Sequence, residues 1–183
     1  MPFAYYARLS AKQKRIYRAS DAIAVIELPD GEVLRPLVFE LERALTADDR
    51  SSVERACREL AREICARLEA PPVAVRVLAA RPTGGYGELH GLYDPGPSPP
   101  LVTVWMRTAA KRRVVAFKSF LRTLLHELLH HLDYELYGFE DSFHTGGFFQ
   151  RESSLARQLL GTPAGEPRPA GERLARRRPA SSG

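Results

Sequence analysis

Cysteine is scarce in this 183-residue chain, which holds only two, and no apolar run approaches the roughly 20 residues that a membrane-spanning helix needs. Cys57 and Cys65 lie eight positions apart in a segment that reads as one helix, so their Cα atoms should be about 12 Å apart. That is beyond the reach of a disulfide. Zinc-binding cysteine pairs are usually spaced two to four residues apart, and no Cys-x-x-Cys pair occurs, so both residues read as core thiols in a reducing compartment. The first twenty residues, MPFAYYARLSAKQKRIYRAS, interrupt any apolar stretch with tyrosines and basic residues and so lack the pattern of a secretory signal. The expectation is a cytoplasmic protein with no membrane contact. No internal repeat is visible.

The composition is ordinary for a globular domain, 44% hydrophobic and 27% charged. The length suits one domain over 1–160, with the motif-bearing core in 73–160, followed by a basic Pro/Ala/Arg-rich tail over 161–183 that reads as disordered. The net charge is +5, and the tail carries five arginines (Arg168, Arg173, Arg176, Arg177, Arg178) against Glu166 and Glu172. Such a tail can add phosphate contacts to nucleic acid, but a solvated end is the simpler reading.

Hydrophobic periodicity predicts an α+β chain. A short basic helix is expected over 10–19, followed by an apolar stretch broken at Asp30-Gly31 that reads as a hairpin or as an extended lead into a helix. From Ser51, the residues Val53, Ala56, Leu60, Ile64 and Leu68 fall at helical spacing, with Ser51 or Ser52 as cap and Pro71-Pro72 as the stop. Strands are expected from Val73, over 86–94 and over 101–106. A long helix then spans about 115–136, and a further helix spans about 148–160.

The long helix contains FLRTLLHELLHHLDYEL, in which leucines of a buried face alternate with three histidines and three acids. Burying an imidazole or carboxylate without a partner costs about 1–3 kcal/mol, so these groups call for a ligand or a network. His126 and His130 lie four residues apart, one turn above each other, and can place two nitrogens about 2.0–2.1 Å from one zinc ion. Glu127 is rotated about 100° from His126, the place for a general base rather than a ligand. Zinc would bring the pKa of a water towards about 7, and Glu127 would take its proton.

A third ligand is required. His144 follows a loop that Gly138 lets begin, and Glu152 in the next helix is the alternative. Asp133, on the face of His130, is better placed to accept a hydrogen bond from a ligand imidazole, and His131 points away and reads as packing. Donors for an oxyanion could be His90, Tyr86, Tyr93 or Arg151, each of which also has a structural explanation. The strand 101–106 is the candidate edge along which an extended peptide would pair.

These residues resemble the SprT-like family of zinc metallopeptidases and, more broadly, the minimal zincin fold. The likeness rests on the order of strands, HELLH helix and loop, and on His144 with Phe148 in HTGGF, over roughly 73–160. Thr145 stands where the family motif has glycine. The resemblance implies a small twisted sheet packed on the HExxH helix, zinc on His126, His130 and His144, and Glu127 as base. It also implies hydrolysis of peptide bonds in an intracellular protein. Two other functions fit parts of the sequence: a zinc endoribonuclease of the HxxxHxxxxxH type, in which Leu136 would occupy the third histidine's place, and a non-catalytic zinc-stabilised regulatory module.

Overall fold

A computed structural model describes residues 3–84 and 87–161; Tyr86 and the arginines of the basic tail lie outside the described residues. After a 3-10 turn over Ala4–Arg8 come helices α1 (Ala11–Asp21), α2 (Arg35–Thr46) and α3 (Arg50–Arg67). Ser10 starts α1 in a reciprocal capping box with Gln13, which satisfies an otherwise unpaired N–H at each end of the exchange. The chain before Asp30 has no regular structure, and it turns at Pro29-Asp30, where Asp30 takes a left-handed backbone (φ 49°), into a 3-10 turn, Gly31–Leu34, that leads into α2, so the hairpin is not formed. Asp49, not Ser51 or Ser52, caps α3: its Oδ1 accepts from the N–H groups of both serines, at 3.1 and 3.2 Å. A carboxylate there also suits the positive end of the helix dipole.

Strands β1 (Ala74–Ala80), β4 (Gly91–Asp94) and β5 (Leu101–Arg107) form a three-stranded sheet in the order β1-β5-β4, with β5 parallel to β1 and antiparallel to β4. Two-residue strands β2 (Thr83–Gly84) and β3 (Gly87–Glu88) make a separate ribbon, so 86–94 is not one continuous strand. The expectation that 101–106 is an exposed edge is overturned, because β5 is the central strand. Val102 to Met106 are all buried, as an unbroken β-branched and aromatic run on an internal strand should be. The edge beside the HELLH helix is β4.

Helices α4 (Phe117–Glu135) and α5 (Gly146–Leu160) complete the described chain. Leu121, Leu124, Leu125, Leu128, Leu129 and Leu132 of α4 are buried in one cluster with Val102 and Val104 of β5, Leu60 and Ile64 of α3, and Leu155 of α5. Emptying any one of these leucine positions to alanine would cost about 2–5 kcal/mol. Cys57 and Cys65 are free thiols in the same buried layer, and burial pushes the pKa of both upward, so neither is a reactive or ligating thiolate. No described helix is long and apolar enough to cross a membrane.

Candidate functional site

The leucine stripe of α4 fixes its rotation, and the opposite face delivers His126, Glu127 and His130 to a cleft of about 610 Å³ against β4. Past α4 the chain turns back at Gly138, which takes φ +64°, and the following loop brings His144 over the helix. Its Nε2 lies 2.9 Å from Nε2 of His126 and 3.1 Å from Nε2 of His130. These spacings approach the edge of about 3.3 Å between nitrogens of a tetrahedral zinc site with 2.0–2.1 Å bonds.

Hydrogen bonding on the far side of the two helix imidazoles sets their tautomers. His126 Nδ1 is 3.1 Å from Glu152 Oε2, which can only accept, so the proton belongs on Nδ1 and Nε2 keeps its lone pair. Ser142 donates to Asp133 Oδ2 at 2.7 Å, leaving its Oγ to accept from His130 Nδ1 at 2.8 Å. Burial, then the neighbouring His126 and His144, hold His130 far below its usual pKa, at about 3. Burial and His126 lower His144 as well. The helix histidines therefore aim lone pairs at one point, within 4.8 Å of His144's ligand atom, and a divalent cation fits that donor set.

The three rivals of His144 as third ligand have other partners. Glu152 sits behind His126 rather than at the centre, its Oε1 taken by Arg122 at 2.9 Å. Burial acts to raise its pKa, but the hydrogen bonds from His126 and Arg122 outweigh it and keep the carboxylate ionised. Asp133 reaches His130 through Ser142 rather than directly. His131 is fully buried between Tyr93 Oη (3.3 Å) and the Pro71 carbonyl (2.9 Å), the packing role expected of it. Leu136 packs at the core's margin.

Glu127 is nearly buried and lies directly against β4. Burial pushes its pKa up to about 7, partly offset by His126 and by a hydrogen bond from the Tyr93 backbone N–H. Gly91 makes this approach possible, since a Cβ there would stand 2.4 Å from Glu127 Oε1. A glycine inside a strand is a known sign of close approach, yet nothing in the sequence says to what.

Among the oxyanion candidates, His90 and Tyr93 line the cleft, although the Tyr93 hydroxyl is turned to His131. Arg151 is excluded: it is wholly buried and donates to Asp133 Oδ1 (2.8 Å) and to the carbonyls of Ser20 and Ile23 at the end of α1. The N-terminal region thus has a role that no motif announced. Tyr5 Oη donates to the His144 carbonyl at 2.9 Å, and Asp21 accepts from the Gly147 N–H at 2.9 Å. Gly147 lets α1 approach, because a Cβ there would be 2.5 Å from the Asp21 carbonyl. Thr145 caps α5 by accepting from the Phe148 N–H at 2.9 Å. Phe148 forms the floor beneath His126, His130 and His144, with ring centroids 4.9–5.3 Å away.

Comparison with family models, curated proteins and solved structures returns no match for this chain.

Proposed function

We propose that the chain is a zinc-dependent metallopeptidase of the SprT-like, minimal zincin kind. The observation that carries this reading is Glu127: a buried carboxylate pressed against strand β4 beside three converging imidazoles. A structural zinc site needs no such group, whereas peptide hydrolysis needs a base within reach of the attacking water. Zinc held by His126, His130 and His144 would lower the pKa of a water towards about 7 and polarise a substrate carbonyl.

The chain's own residues do the remaining work. Glu152 and the Ser142–Asp133 pair hold the rings of His126 and His130 in the ligating tautomer. An extended peptide pairs with the edge strand β4 where Glu127 does not cover it; β4 lines the cleft with Gly91, Leu92 and Tyr93 and takes the part expected of 101–106. Glu127 accepts the proton of the attacking water and returns it to the departing amine. Its carboxylate occupies the space that a side chain at Gly91 would fill and is held there by the Tyr93 N–H.

The test is casein digestion by the zinc-loaded chain and by Glu127→Gln, with zinc content measured on both. Loss of cleavage with zinc retained supports the reading. A folded, zinc-loaded wild type that cuts neither casein nor a peptide library would instead leave a zinc-stabilised module.

A further inference from the structure

We propose that Arg122 is a specificity residue that anchors a carboxylate on the bound peptide, an inference that rests on the peptidase reading. Arg122 lies one turn before His126 on α4, so its guanidinium emerges on the same side of the helix and lines the cleft. It is the sole arginine or lysine among the described lining residues. Glu152 Oε1 accepts from Nε at 2.9 Å, and Ser153 Oγ accepts from one terminal nitrogen at 2.9 Å. Those two bonds fix the plane of the guanidinium while its side chain remains 52% exposed.

The two acceptors take Nε and one terminal nitrogen. No described protein group accepts from the other terminal nitrogen, whose N–H donors, with the remaining one of its neighbour, can receive a carboxylate. Glu152 also ties this guanidinium to the metal centre, because its other oxygen holds His126. An anchored carboxylate would therefore set the register of the peptide relative to the three histidines. Half-buried Glu88 of the cleft wall does not compete, since it is engaged by Arg81 and by the Ala109 N–H. An arginine that served only to neutralise Glu152 would not need the second bond to Ser153, and it would show no preference among peptides.

The test uses acetylated alanine hexapeptide amides carrying one glutamate stepped through each position, their glutamine counterparts, and the all-alanine hexapeptide with a free C-terminal carboxylate. Binding to the full chain is followed by NMR titration, with and without zinc, for wild type, Arg122→Gln and Arg122→Glu. The expected result is about a five- to tenfold preference for glutamate over glutamine in one register, present with and without zinc. Arg122→Gln should abolish that preference while leaving the glutamine peptide bound, and Arg122→Glu should invert it. A preference confined to the free carboxylate would assign the anchor to a peptide C-terminus, and one at an internal position to an acidic side chain. No preference in any register, one that survives both substitutions, or one that appears only with zinc would overturn the assignment. Failure to bind zinc or to cut casein would sink the peptidase reading instead, and the comparison in the metal-free chain would still judge Arg122.

Discussion

The two halves of the histidine cluster are held in different ways. His126 and His130 ride on α4, whose leucines are locked in the core, so their relation to each other follows from helix geometry alone. His144 rides on a loop, and its position depends on Tyr5, Asp21 and Arg151, whose partners lie more than a hundred residues away or deep in the fold. Local periodicity builds the first half. Long-range contacts build the second, which makes it the half that distant mutations can disturb.

The largest effect is expected at the junction of the halves. Arg151→Met leaves Asp133 buried without its cation and should destabilise the chain by about 3–5 kcal/mol in chemical denaturation. Any of this variant that remains folded should bind zinc more weakly through the Ser142–His130 contact, whereas the spacing within α4 should be unchanged.

On the helix half, Gly91→Ala forces Glu127 away from β4. Cleavage should fall on the order of 100-fold, as expected when a reacting group is misplaced by about 1 Å, while zinc content is kept. A variant with full activity would show that Glu127 does not need this seat.

Glu127 also gives a pH signature in the metal-free chain. Its pKa is raised from 4.5 to about 7 on folding, so the folded state binds the extra proton and stability from this group falls as pH rises from 4.5 through 7. Glu127→Gln should therefore match wild type near pH 4.5 and exceed it by roughly 2–3 kcal/mol at pH 8. Denaturation at the two pH values measures the difference, and equal gains at both would contradict the burial assigned to Glu127.

The smallest effect sharpens the loop half. Tyr5→Phe removes one exposed hydrogen bond to the His144 carbonyl and should cost about 0.5–1.5 kcal/mol, read as a few-fold loss in zinc affinity by chelator competition.

The same division explains what could be read in advance. The α4 histidine pair, the place of Glu127 beside it and the buried cysteines follow from spacing, and Gly138, which allows the turn, points to His144 as the residue that joins the pair. Residue types alone left Glu152 in contention, and only the placement of its carboxylate behind His126 gives it a different task. The misplaced edge strand had a visible signal, since LVTVWM does not alternate as a half-exposed strand should. Ser142, Arg151 and Gly91 had no comparable signal. Their roles arise when α1, β4 and α5 close around α4, and a serine, an arginine or a glycine by itself does not specify its distant partner.

The most direct test is zinc stoichiometry by elemental analysis of wild type, His144→Ala and Glu152→Ala, each checked for folding by circular dichroism. The account predicts about one zinc per chain in wild type, its loss in His144→Ala, and weakened but retained binding in Glu152→Ala. A folded wild type that takes up no zinc, or binding lost only in Glu152→Ala, would contradict it.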